Sequence, residues 1–97
     1  MIRKRATDDP DVVLVEFVVD HAPARPVALV GSFNDWDAEA CQLEETEDGV
    51  LGTTLKLPAG ERFEFRYRDG RGRWFNDEAA DDYVDNTQGE TNGVFFT

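Results

Sequence analysis

The segment Phe63–Arg68 alternates aromatic and charged side chains at every position. Its aromatic residues are Phe63, Phe65 and Tyr67, and Arg66 lies among the charged residues between them. Successive side chains of a β-strand point to opposite faces of the sheet, so a period of two is typical of a half-buried strand. We therefore predict a strand whose aromatic face enters the core and whose charged face points outward.

Other segments also have the composition and boundaries of strands. They are Val12–Val19, Val27–Val30, Leu51–Leu57 and Val94–Thr97. The turn residues Asp69–Gly72 add a hairpin signal, with a return strand at Arg73–Phe75. Because no segment has sustained helical spacing, these short strands predict an all-β sandwich.

The remaining segments are less regular. Residues 1–11 are charged, contain Pro10 and lack periodicity, which predicts a flexible N-terminal tail ahead of one domain over residues 12–97. Asn76–Asn86 is expected to be an acidic loop. For Glu39–Leu43, a helical turn and a short strand are both open.

The net charge of −11, from 21 acidic and 10 basic residues, argues against a nucleic-acid partner, whose phosphates would be repelled. Such a surface has two interpretations. One is an ordinary solvated acidic surface, and the other is a protein adapted to high salt, where screening relieves the self-repulsion.

The single cysteine, Cys41, excludes an internal disulfide and favours a reducing compartment, so we expect a cytoplasmic protein. The chain has no apolar run long enough to cross a bilayer, and its start lacks a signal-peptide pattern, so no membrane partner is expected. The acidic loop lacks the spacing of a calcium-binding loop, and we expect no metal and no cofactor.

Two tryptophans occupy positions where they gain little from core burial. Trp36 follows the turn residues Asn34 and Asp35 after the strand Val27–Val30, and Trp74 follows the glycine-rich hairpin. Each tryptophan is either a lid on the edge of the core or a platform for a flat ligand. An indole can cover the apolar face of a sugar while its N–H donates a hydrogen bond.

Three sequence blocks together form a recognisable signature. The first block is Gly31–Trp36. The second contains Leu57–Glu61, Phe63–Tyr67, Asp69, Gly70 and Trp74, and the third is Gln88–Val94. In this order the blocks resemble carbohydrate-binding module family 48, which includes the isoamylase N-terminal ("early set") domain and the glycogen-binding domain of the AMP-activated protein kinase β subunit. The resemblance runs from about Val13 to Thr97 and implies an immunoglobulin-like β-sandwich of the early-set type.

The resemblance also implies a function and a set of site residues. It implies a non-catalytic module that binds α-1,4-glucans such as glycogen, starch or maltooligosaccharides. The carbohydrate-binding residues implied are Trp36, Arg66, Trp74, Glu90 and Asn92. Glu90 stands where the family commonly has Thr, which alters that contact.

Each of the polar site residues also has a purely structural interpretation. Arg66 could form a cross-strand ion pair with Glu64 or another acid, and Asn92 could belong to a plain Asn–Gly turn. The rival function is a structural early-set domain that packs against a glycoside hydrolase catalytic domain. We also expect a monomer. No enzymatic activity is expected, since a small sandwich has little room for the enclosed carboxylate pair of a glycosidase.

Overall fold

The computed structural model describes residues 1–20, 22, 24–47 and 49–97. The described residues form nine β-strands and one short 3-10 helix at Ser32–Asn34. The strands are β1 (Ile2–Ala6), β2 (Val12–Val19), β3 (Ala28–Gly31), β4 (Glu44–Glu47), β5 (Val50–Pro58), β6 (Arg62–Arg68), β7 (Trp74–Phe75), β8 (Asp82–Asp85) and β9 (Thr91–Phe96).

The strands form two antiparallel sheets. The first has the order β1-β2-β5-β4, and the second has the order β3-β6-β9-β8. The short strand β7 pairs with the end of β6, where Tyr67 lies opposite Phe75 and Arg68 opposite Trp74. In this way β6 contacts three other strands of the second sheet and fixes their positions.

Aromatic side chains fill the space between the sheets. Phe17 of β2 is fully buried, and its ring centroid lies 5.6 Å from that of Phe65 and 5.4 Å from that of Phe95. Both contacts are edge-to-face, the arrangement that aromatic quadrupoles favour. The predicted alternation of β6 is confirmed, because Phe65 and Tyr67 are buried while Arg66 and Arg68 lie on the opposite face.

The structure differs from the sequence prediction at the N-terminus. Ile2–Ala6 pairs with β2 as an edge strand, so the prediction of a flexible tail is wrong for these residues. The Lys4 ammonium group also forms an ion pair with Asp81. Backbone pairing needs no apolar alternation, which is why a run of cationic residues gave no strand signal.

The predicted acidic loop Asn76–Asn86 contains regular structure that the sequence does not indicate. Its residues Asp82–Asp85 form β8, which pairs with β9. Asp77, earlier in this segment, is buried and accepts hydrogen bonds from the Tyr67 hydroxyl at 2.7 Å and the Met1 ammonium group at 2.6 Å. Burial, reinforced by the adjacent Asp77, raises the pKa of Tyr67 far above its usual range.

The segment before β4 pairs with β3. Gln42 forms a bridge with Ala28, and the Leu43 N–H donates to the Val27 carbonyl at 2.9 Å. Of the two alternatives for Glu39–Leu43, the extended one therefore holds at its C-terminal end.

The outer face of the second sheet is partly covered. Val30 lies directly opposite Arg66, and Val94 lies directly opposite Glu64, so both valines share the outward face of β6. Both are nonetheless buried. The outward face of the second sheet therefore also contains a small buried apolar area.

Candidate functional site

The turn that carries Trp36 is fixed by local hydrogen bonds. The Asn34 side chain donates to the Leu29 carbonyl at 3.1 Å and accepts from the Gly31 N–H at 3.1 Å. The Trp36 N–H donates to the Gly31 carbonyl at 2.9 Å. Asp35 and Trp36 have φ values of 56° and 59°, so the chain reverses through two left-handed residues and holds the indole at the tip.

Gly31 allows this turn to lie against β6. A Cβ atom at this position would lie 2.5 Å from the Glu64 carbonyl oxygen and 2.6 Å from the Phe33 ring. The close approach, rather than a special backbone angle, requires glycine here, since φ is −169°.

Trp74 is held by a hairpin and by two guanidinium groups. Oδ1 of Asp69 accepts hydrogen bonds from the backbone N–H groups of Arg71 at 2.9 Å and Arg73 at 3.0 Å, which shapes the hairpin. The Cζ atoms of Arg66 and Arg68 lie 5.8 Å and 5.4 Å from the indole centroid. These distances permit cation–π attraction. The neighbouring residue Phe75 turns inward onto Tyr67, and Trp74 points outward.

All five predicted site residues line one open groove of about 660 Å³ on the outer face of the second sheet. They are Trp36, Arg66, Trp74, Glu90 and Asn92. The same groove is lined by Ser32, Glu64 and residues 85–88. The two tryptophans are equally exposed, at 39% each. The fold thus brings together three segments that are distant in sequence.

Arg66 is more covered than its outward position suggests, with 11% of its side chain exposed. Its Nη1 atom donates to Oε2 of Glu90 at 2.7 Å, and its Nε atom donates to Oδ1 of Asn76 at 3.1 Å. The ion pair foreseen as the structural alternative therefore exists, but its partner is Glu90 and not Glu64.

Asn92 lies inside β9, so its interpretation as a plain Asn–Gly turn is wrong. Its side chain is buried beneath the groove. Nδ2 donates to Oε1 of Glu64 at 3.1 Å, while Oδ1 accepts from Nδ2 of Asn86 at 3.1 Å. Asn92 thus links the groove floor to the loop between β8 and β9.

Glu64 is held in its ionised form. The hydrogen bond from Asn92 and the guanidinium of Arg62, whose Nη1 lies 2.9 Å away, hold the pKa of its carboxyl group below the ordinary value of 4.5. A pKa that is lower in the folded chain stabilises the fold above pH 4.5, and this contribution disappears as the pH falls through the lowered value.

We expect Glu64→Gln to reduce the acid sensitivity of the protein. Unfolding free energies from urea titrations between pH 7 and pH 3 should fall less steeply for the variant than for the wild type, because one linked proton has been removed. Glu47→Gln, at an exposed position of β4, is the control. Equal pH dependence for Glu64→Gln and the wild type would contradict this assignment.

Sequence reasoning missed the asparagines that brace the groove. Asn86 accepts from the N–H groups of Gln88 and Glu90 at 3.0 Å each, an Asx-type turn that its position ahead of Gly89 could have indicated. The Asn76 side chain accepts a hydrogen bond from Arg66 and donates one to the Thr91 carbonyl. No local sequence pattern indicates these contacts.

Within the described ranges, no three His, Cys, Asp or Glu side chains gather closely enough to hold a metal ion. No helix in the same residues is long and apolar enough to cross a membrane. The groove offers two indoles, amide groups and carboxylates, so it is equipped for stacking and hydrogen bonding.

Two packed antiparallel sheets with this topology define an immunoglobulin-like β-sandwich of the early-set type. Residues 8–84 match carbohydrate-binding module 48 (isoamylase N-terminal domain), and the chain belongs to this family. The matched range ends before Glu90 and Asn92.

A related sequence occurs in an α-amylase of Niallia circulans. It is 39% identical over 87 residues, which cover 84% of this chain and 7% of the amylase. The chain therefore spans only a small part of that enzyme's length.

Proposed function

We propose that this domain binds α-1,4-linked glucans in the groove between Trp36 and Trp74. The observation that carries the proposal is the pair of exposed indoles lining one groove, each fixed by its own turn. The curved apolar face of an α-glucan would stack on the two rings, while polar groups along the groove bond its hydroxyls. The family match supports this ligand class.

Two of the three carboxylates that line the groove, Glu64 and Glu90, are unsuited to glycoside hydrolysis. A glycosidase needs one carboxyl group with a raised pKa as the general acid and a second one across the scissile bond. Here the pKa of Glu64 is lowered, and Glu90 is paired with Arg66. The groove is also open, so affinity should be weak, in the range of roughly micromolar to millimolar dissociation constants.

An NMR titration of the ¹⁵N-labelled protein with maltoheptaose tests the proposal. Saturable shifts should concentrate at the Trp36 and Trp74 indole N–H signals and at the amides of residues 86–92. Cellohexaose, a β-linked glucan with a flatter chain, is the matched control ligand. An absence of shifts with maltoheptaose, or shifts confined to the β1-β2-β5-β4 sheet, would refute it.

A second function is packing against a glycoside hydrolase catalytic domain. The α-amylase match favours it, because the similar segment is a small part of a much longer enzyme. Such packing need not involve the groove, and the two functions are compatible. The cytoplasmic location and the monomeric state stay predictions, and an ordinary acidic surface and adaptation to high salt both stay open as interpretations of the net charge.

A further inference from the structure

The loop between β8 and β9 forms one wall of the groove and has its own internal bonding. The Asn86 N–H donates to the Glu90 carbonyl at 2.8 Å, and the Asn86 side chain caps two further N–H groups of the loop. Gly89 has a φ of +79°, which completes the tight turn. The turn 86–90 therefore fixes its own shape by internal hydrogen bonds, but its position relative to the sheet depends on contacts with other residues.

Two side chains of the second sheet attach this turn. At one end of the turn, Nη1 of Arg66 donates a hydrogen bond to Oε2 of Glu90. At the other end, the side-chain Nδ2 of Asn86 donates to Oδ1 of Asn92. Both attaching residues are largely covered, with 11% of the Arg66 side chain exposed and Asn92 buried. By contrast, 56% of the Glu90 side chain is exposed to the groove and solvent.

Two of the five N–H donors of Arg66 are already engaged in the ligand-free protein. Nη1 is used by Glu90 and Nε by Asn76, and the guanidinium carbon lies 5.8 Å from the Trp74 ring centroid. A glucan hydroxyl that replaced either partner would displace an existing charge-assisted hydrogen bond, and access to the rest of the guanidinium is limited because only 11% of the Arg66 side chain is exposed. Exchanging one such bond for another yields little net affinity.

We propose that Arg66 is a positioning residue, which holds the turn 86–90 and the Trp74 indole in place rather than supplying the principal hydrogen bonds to the sugar. The inference rests on the proposed glucan-binding function. It assigns ligand contact to the exposed members of the groove, Trp36, Trp74 and Glu90, and assigns to Arg66 the task of fixing the last two relative to each other.

The test compares Arg66→Met, Glu90→Ala and the double variant. Methionine keeps much of the length of the arginine stem but removes every donor. Arg25→Met is the matched control, because Arg25 forms an ion pair of similar length with Glu45, at 2.8 Å, outside the groove. For each variant we measure the maltoheptaose dissociation constant, and in the free protein the near-UV circular dichroism and the hydrogen exchange of the Glu90 amide.

As a positioning residue, Arg66 should change the free protein as well as the complex. Arg66→Met should weaken binding at least about tenfold, alter the near-UV spectrum of the tryptophans and accelerate exchange of the Glu90 amide. The double variant should bind no worse than the weaker single variant, because both changes break the same pair. Arg25→Met should resemble the wild type in every measurement.

A direct donor would give a different pattern. Arg66→Met would then weaken binding with free-protein signals unchanged, and its effect would add to that of Glu90→Ala, which overturns the proposal. Unchanged affinity in Arg66→Met would overturn it as well. Should Arg66→Met fail to fold, Glu90→Ala breaks the same ion pair from its exposed side and must show the same spectral and exchange changes.

Failure of the proposed function is a separate outcome. A wild-type protein that does not bind maltoheptaose contradicts glucan binding itself. The circular dichroism and exchange measurements need no ligand, so they still decide whether Arg66 holds the turn and the indole.

Discussion

The double variant Trp36→Ala/Trp74→Ala should bind no measurable glycogen while keeping a dispersed NMR spectrum. Central aromatic residues of a binding surface contribute about 2 kcal/mol or more each. A wild-type dissociation constant between millimolar and micromolar corresponds to roughly 4–8 kcal/mol of binding free energy, so losing both rings removes much of it. Each single variant should weaken binding about thirtyfold, measured by titration with maltoheptaose.

The fold should survive because both tryptophans lie outside the core between the sheets. Trp74 would lose cation–π contacts with Arg66 and Arg68, each worth about 0.5–1 kcal/mol at an exposed site. Phe96→Ala is the control, since Phe96 is an exposed aromatic residue, at 49%, outside the groove. An unfolded double variant, or a folded one that still binds glycogen, would exclude the tryptophans as the binding platform.

Phe17→Ala should destabilise the domain by about 3–5 kcal/mol, the range for truncating a buried phenylalanine. Phe17 is fully buried and lies within ring contact of Phe33, Phe65 and Phe95, so no neighbour can fill the cavity without breaking other contacts. A small domain has about 5–15 kcal/mol in total, and about 4–8 °C of melting temperature is lost per kcal/mol at this size.

The measurement is thermal and urea unfolding of Phe17→Ala beside Phe96→Ala. The second variant makes the same chemical change at an exposed position and should stay within about 0.5 kcal/mol of the wild type. Similar losses of unfolding free energy in the two variants would mean that the two sheets do not pack around Phe17 as described.

The fold could largely be predicted because its central strands have clear local patterns. The period of two in β6 needs only the alternation of side chains, and the core positions of β2 and β5 follow in the same way. Strands β1 and β8 lack this pattern. They are edge strands held by backbone pairing and by distant contacts such as Lys4 with Asp81, which no local window contains.

The resemblance named five of the residues that line the groove, but the sequence indicated neither the other lining residues nor the role of each. Turn residues precede Trp36 and Trp74, which left a lid on the core edge and an exposed platform both open, and the resemblance implied the exposed position. The sequence does not indicate that Arg66 is covered, since the groups that cover it, Trp74 and Glu90, lie 8 and 24 positions further along the chain. Burial of an outward-facing residue depends on loops that the strand pattern does not describe.

The alternation in β6 also separates the positions that maintain the core from the positions that can be varied to change ligand preference. Odd-numbered positions from 63 to 67 maintain the core, and even-numbered positions from 64 to 68 face the groove side, so libraries that vary only the even positions can explore ligand preference at constant core composition. A deletion of one residue within β6 would exchange the two sets and place charges in the core. Deletions of two residues keep the sets intact and displace the recognition surface along the strand by about 7 Å. Length variants of this strand should therefore survive only in even steps.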